Sequence, residues 1–257
     1  MSFTGSVLVA VPTYNESANI EAVLGRLRTS VPDAHVLVVD DGSPDGTGDI
    51  ADALAAADDH VHVMHRTSKQ GLGAAYVAAF GWALEHGYDV VVEMDADGSH
   101  LPEQLHRLLD AVEEQQADLV LGSRWVPGGE IVNWPRRRML LSRGGSLYAR
   151  LALGIDIRDA TGGYRAFRAP ALARLLEEEV ASQGYCFQID MARRAVSAGM
   201  TVREVPITFV ERELGESKMH RSIVIEAVRR VGVWGWQARS AQVRRALAPR
   251  RRVATVG

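Results

Sequence analysis

Cysteine is almost missing from this sequence. Cys186 is the only one in 257 residues, so no internal disulfide can form and a reducing compartment is the expectation. A dominant charge is missing too: 29 basic against 32 acidic residues leave a net −3, which gives no general attraction to nucleic acid. No stretch approaches the roughly eighteen uninterrupted apolar residues of a membrane-spanning helix. The opening MSFTGSVLVAVPTYNE has neither a basic stretch nor a signal-peptide core. These absences predict a cytoplasmic protein with no transmembrane segment, attached at most to a membrane surface. Two nucleotide-binding signatures also fail. KQGLGAAY (69–76) is glycine-rich, but it lacks the GxGxxG spacing and opens the wrong βα unit for a Rossmann dehydrogenase. No Walker lysine motif occurs, and SVLVAVPTYNE contains no glycine-rich triphosphate loop.

What is present supports a full core, with 47 % apolar and 24 % charged residues. Short Val/Leu runs predict strands at 6–11, 35–40, 61–65, 89–94 and 118–123, their continuous apolarity suiting strands covered on both faces. Helical patterns lie between them at 17–29, 47–57, 71–86 and 102–116, the last opening on Pro102, whose missing N–H costs nothing at a helix start. This alternation predicts an α/β fold with a doubly wound, mostly parallel sheet and helices on both faces. Such sheets bind ligands beyond the carboxyl ends of their strands, where Asp40, Asp41, Asp95, Asp97 and Arg124 fall. The second half is less regular: a Gly, Pro and Arg-rich region at 126–165 with a helix near 137–153, then a helix at 187–198, a strand at TVREVPITF and a long helix at 220–247. Three segments are expected: a catalytic domain at 1–220, an amphipathic helix at 221–247 and a basic disordered tail at 248–257.

The strand DVVVEM runs straight into DADGSH. Residues i and i+2 of a strand face the same way, so Asp95 and Asp97 can converge on one point if the strand continues or turns tightly at Gly98. Two bare carboxylates repel, and a cation between them relieves this; few oxygen ligands suit Mg²⁺ or Mn²⁺. The plainer reading is an Asp-rich turn with Ser99 capping the next helix. VVDDGSPDGT (38–47) reads both as turn chemistry and as two acids able to meet ribose hydroxyls or base N–H groups. PTYNE (12–16) by itself reads as no more than a helix start.

PTYNE, VVDDGSPDGT, KQGLGAAY, MDADGSH, GSRW, the pair Arg138 and Ser142, DATGGYR and RELGESKM together resemble, in order, the polyprenyl (dolichyl) phosphate mannosyltransferases, family 2 glycosyltransferases of GT-A fold. The resemblance spans about 7–220, and its later motifs, TGGYR and RELGESKM, are the more specific. It implies a metal-dependent, inverting transfer of mannose from GDP-mannose to a polyprenyl phosphate. By motif match, Pro12, Tyr14, Glu16, Val39 and Asp41 would line the nucleotide pocket, with Asp95 and Ala96 beside the ribose and pyrophosphate. Asp97 would hold the divalent cation. Ser99 stands where relatives can carry a longer amide ligand, which puts its own metal contact in question. Arg212 and Lys218 would clamp the donor phosphates, and Arg124, Arg138 and Ser142 would take the acceptor phosphate. Arg138 and Ser142, four apart, share one helix face.

Many relatives carry C-terminal membrane spans that this sequence does not contain. Residues 139–155 and the last helix, with Trp234 and Trp236 among arginines, instead predict peripheral attachment to a membrane surface, alone or with a separate membrane-embedded subunit. Packing of both helices on the core is the competing expectation. The rival functions are a polyprenyl-phosphate glucosyltransferase using UDP-glucose and a non-catalytic nucleotide-sugar-binding scaffold. His100 is read as a turn residue.

Overall fold

The computed structural model describes residues 3–180, 185–212 and 221–247. Nine strands are described. A sheet of seven has the order β3-β2-β1-β4-β7-β5-β8, built from β1 (Val7–Thr13), β2 (His35–Asp40), β3 (Val61–His65), β4 (Val90–Glu93), β5 (Leu119–Ser123), β7 (Arg165–Arg168) and β8 (Val202–Pro206). The five strands expected from Val/Leu runs all form, and all run parallel to their sheet neighbours except where β7 intervenes, antiparallel to both β4 and β5.

Helices cover both faces. One face packs α1 (Ile20–Ser30), α2 (Thr47–Ala57) and α4 (Leu105–Glu114) through residues such as Leu24, Leu27, Ala51 and Leu108. The other carries α3 (Leu72–Glu85), α5 (Arg136–Leu153), α6 (Ala169–Leu175), α7 (Tyr185–Ser197) and α8 (Arg221–Leu247) over Leu8, Leu37, Phe80, Phe167 and Phe187. With both faces buried, a strand such as VVVE has no solvent side, which is why its apolar run is unbroken.

The chain winds outward from β1 through β2 to β3, then returns to place β4 on the other side of β1. That reversal opens a crevice at the carboxyl ends of β1 and β4, where PTYNE and DADGSH emerge. Having left β5 at the same edge and passed through α5, the chain re-enters as β7, so β7 runs backwards and delivers 159–164 beside Asp95. The expected strand TVREVPITF is two strands. It breaks after Pro206, and β9 (Thr208–Val210) pairs in parallel with β6 (Glu130–Val132) in a small second sheet. This carries 209–212 across the crevice.

The last helix packs along α5 and α7. Its approach to α5 is close enough that a Cβ on Gly235 would collide with the Ala152 carbonyl oxygen, and Tyr148 donates its hydroxyl to the Val228 carbonyl at 3.0 Å. Among the described residues, no helix is long and apolar enough to cross a membrane.

Candidate active site

β4 ends at Glu93, and the chain turns at Gly98, whose φ of 74° lies in the left-handed region that glycine enters without strain. The turn keeps Asp95 and Asp97 close. Asp95 is pushed up to about 7, first by burial and then by the charge of Asp97. Its side chain is still 35 % exposed toward the crevice, so water moderates that shift. The Tyr76 hydroxyl reaches it at 3.4 Å. Asp97 accepts the Ser99 N–H at 3.0 Å, and Arg212 Nη2 stands 2.9 Å from its Oδ2.

Ser99 does not cap a helix. The following one-turn 3-10 helix starts at Pro102 after Leu101, and Ser99 Oγ is buried and, among the described residues, has no hydrogen-bond partner. Nor is His100 an ordinary turn residue. It is 1 % exposed, stacks on Tyr164 at 5.0 Å, and accepts the Asp95 N–H through Nδ1 at 3.1 Å. Burial holds it down at about 4, so it is a neutral wall of the site at pH 7.

A cavity of about 410 Å³ joins this acidic turn to α5. Asp95, Asp97 and Arg212 lie at its polar end with Arg124, Arg138 and Ser142, while Leu140, Leu141, Tyr148, Val228 and Val231 give it an apolar reach. The structure thus brings together the acids and the arginine pair predicted from the sequence. Arg124 is nearly enclosed: its guanidinium donates to both oxygens of Asp159 at 2.7 Å and to Thr161 Oγ1 at 3.1 Å. Burial disfavours the Asp159 carboxylate, but the Arg124 charge and its hydrogen bonds prevail and hold the group below its usual range. Arg138 stacks on Trp134 at 4.3 Å and forms an ion pair with Glu211. Asp159, Glu211 and Trp134 escape a sequence reading because nothing local marks them. DATGGYR signals Asp159 only as part of a motif.

The other predicted donor residues stand along the same sheet edge, outside that cavity. Tyr14 lies under Lys69 Nζ, 4.0 Å from the ring centroid. Glu16 accepts a hydrogen bond from Asn19 at 2.9 Å, and Pro12 is part-exposed on β1. Val39 is fully buried in the core, so contact with a nucleotide would have to use its main chain. Asp41 is raised by burial, opposed by Arg66 at 2.6 Å. Its neighbour Asp40 is spent on the turn, accepting from Ser43 and Thr13, so the turn reading of VVDDGSPDGT holds for that acid. Ala96 is buried. Lys218 lies outside the described residues.

Among the described residues, no group of three His, Cys, Asp or Glu side chains could hold a metal alone. A crowded carboxylate pair with a buried, unsatisfied serine oxygen beside it nevertheless fits a hard cation that also takes ligands from a phosphate.

Comparison with known proteins follows the same line. The model of glycosyl transferase family 2 matches residues 8–176. Undecaprenyl-phosphate mannosyltransferase of Micrococcus luteus is 60 % identical over 233 residues, covering 91 % of this chain and 95 % of that one. Polyprenol monophosphomannose synthase of Mycolicibacterium smegmatis is 57 % identical over 237 residues, covering 92 % and 89 %. In fold the chain is similar to a mannosyltransferase from Pyrobaculum calidifontis solved with GDP-Man and Mn²⁺, at a TM-score of 0.56 and 18 % identity over 96 % of this chain and 77 % of that one. It is also similar to glucosyl-3-phosphoglycerate synthase from Mycobacterium tuberculosis, solved with Mn²⁺, UDP-glucose and phosphoglyceric acid, at 0.59 and 19 % over 98 % and 83 %. These two likenesses show the GT-A fold.

Proposed function

The chain belongs to glycosyl transferase family 2, and we propose that it transfers mannose from GDP-mannose to a polyprenyl phosphate, with inversion, giving polyprenyl phosphate β-mannose and GDP. The observation that carries this reading is one cavity lined both by two carboxylates and by an arginine–serine pair with apolar walls. The names of the two relatives near 60 % identity support the same sugar and acceptor class.

Pro12, Tyr14, Glu16, the Val39 main chain and Asp41 would hold the nucleotide, with Asp95 and Ala96 beside its ribose and pyrophosphate. Asp97, with Ser99 beside it, would hold Mg²⁺ or Mn²⁺. When bound, the cation offsets charge on the departing diphosphate. Arg212 and Lys218 would share that task.

The acceptor needs no dedicated base. A phosphate monoester has its second pKa near 6, so it arrives mostly as a dianion with a nucleophilic oxygen already formed. Arg138 and Ser142 would orient it, with Arg124 stiffening the floor. One phosphate oxygen then attacks the anomeric carbon from the face opposite GDP; the carbon–oxygen bond to GDP breaks and its electron pair leaves on the diphosphate.

The apolar arm of the cavity lies beside an exposed face formed by Leu140, Leu147, Leu151, Val228 and Trp236, with Arg136, Arg137 and Arg143 exposed on α5. That composition supports peripheral attachment of this face to the cytoplasmic side of a membrane, with or without a membrane-embedded subunit. Trp234, by contrast, packs on the core under Arg193.

Transfer of labelled sugar into organic-extractable lipid tests the function. Label from GDP-mannose, dependent on a divalent cation and on a polyprenyl phosphate, is expected. Label from UDP-glucose alone would replace the sugar, and donor binding without transfer would favour the scaffold.

A further inference from the structure

Two consecutive residues pair with the arginine and the acid that line the cavity. Glu211 forms an ion pair with Arg138, and Arg212 Nη2 lies 2.9 Å from Asp97 Oδ2. Both leave β9 together, and hydrogen bonds hold the backbone that leads into them. The Val210 N–H donates to the Ser99 carbonyl at 3.1 Å and the Glu211 N–H to the Val132 carbonyl at 3.0 Å. Phe209 meets His100 and Trp134 edge-on at 5.3 and 5.2 Å.

The proposed function makes Arg138 an acceptor-phosphate ligand and Asp97 a donor-side ligand, and the inference rests on that reading. A carboxylate and a phosphate use the same guanidinium fork. With Glu211 on Arg138, an arriving dianion meets a partner already neutralised and a like charge beside it. Arg212 likewise occupies an Asp97 oxygen that a cation would need. Glu211 and Arg212 share one stretch of backbone, so a shift of that stretch that carries Arg212 off Asp97 toward the donor phosphates also carries Glu211 off Arg138. The Glu211 carboxylate is only half satisfied: beyond the ion pair with Arg138, its Oε2 is buried and, among the described residues, has no hydrogen-bond partner.

We propose that Glu211 is a place-holder for the acceptor phosphate on Arg138, released when donor loading draws Arg212 off Asp97, so that filling the donor side opens the acceptor side. Glu211 thus acts through Arg138 as a positioning residue. By linkage, the donor strengthens acceptor binding and the acceptor strengthens donor binding by one factor.

The test is calorimetric binding of farnesyl phosphate to the full chain, with and without GDP and Mg²⁺, which load the donor side without turnover. In the wild type, GDP with Mg²⁺ is expected to tighten farnesyl phosphate binding by about fivefold or more. Glu211→Gln is expected to bind it equally tightly without GDP and to lose the enhancement. Glu211→Ala should do the same, which guards against an amide that keeps the contact or a variant that folds poorly. Unchanged affinity and unchanged enhancement in both variants would overturn the gate. Arg138→Ala separates the two ideas: if it binds farnesyl phosphate as the wild type does, the acceptor assignment itself fails. If it loses binding while the Glu211 variants behave as wild type, only the gate fails.

Discussion

Arg124 and Asp159 form a closed pair beneath the cavity: Nε donates to Oδ2 and Nη2 to Oδ1, each at 2.7 Å, with side chains 6 % and 0 % exposed. The Arg124 N–H adds a third bond to the same carboxylate at 3.0 Å. The arginine that the sequence offers as an acceptor ligand is therefore fixed first by Asp159. In the proposed function its contribution to phosphate binding would be a rigid, partly neutralised floor.

Removing one member of such a pair leaves the other charge buried and alone. Asp159→Ala is expected to destabilise the protein by roughly 3–5 kcal/mol, read from urea unfolding. A cost below about 1 kcal/mol, typical of an exposed pair, would contradict the enclosed geometry.

Arg138 is more open, and in the proposed function it carries the acceptor side. Arg138→Ala should raise the acceptor KM by about tenfold or more, the worth of one charge-assisted hydrogen bond, with GDP affinity little changed. A selective loss of GDP binding would move this arginine to the donor side.

Glu93 gives a pH prediction. It is fully buried on β4, held by Gln188 Nε2 at 2.8 Å, and raised to about 7 by burial against the opposing pull of Arg165. The folded protein binds this proton more tightly than the unfolded chain does. The resulting stability is present below the ordinary value of 4.5 and is lost as pH rises toward about 7. Melting temperature across pH 4 to 8 should therefore favour Glu93→Gln over wild type increasingly as pH rises. A difference that is flat or shrinks with pH would mean that Arg165 outweighs burial.

The exposed leucines of α5 give a membrane prediction. Leu147 and Leu151 are 53 % and 65 % exposed and one turn apart. Leu147→Glu combined with Leu151→Glu should abolish sedimentation with anionic liposomes while leaving the melting temperature near wild type. Undiminished sedimentation would place the contact elsewhere.

The fold was legible where local sequence carries a physical signal. Unbroken valine runs mark strands with no solvent face, and Asp95, Asp97 and Arg124 follow from where those strands end. β7 was not legible, because RAFR sets two arginines around two apolar residues and is a strand only by its insertion between β4 and β5. Pro206 divides what reads as one strand between two sheets. The partners of the site arginines were hidden by distance: Asp159 is 35 residues from Arg124, and Glu211 is 73 from Arg138. His100 looks like a turn residue until Tyr164 and Phe209 close over it. The acids announce themselves in sequence; the residues that hold the cations in place become visible only when the chain is folded.

The most direct test of the account is turnover of Asp97→Ala in the lipid-transfer assay, with GDP-mannose, Mg²⁺ or Mn²⁺ and a polyprenyl phosphate. If Asp97 anchors the cation on the donor diphosphate, label in the lipid phase falls to background while the protein stays folded. Activity within a few-fold of wild type would contradict the assignment of the acidic turn as the donor site.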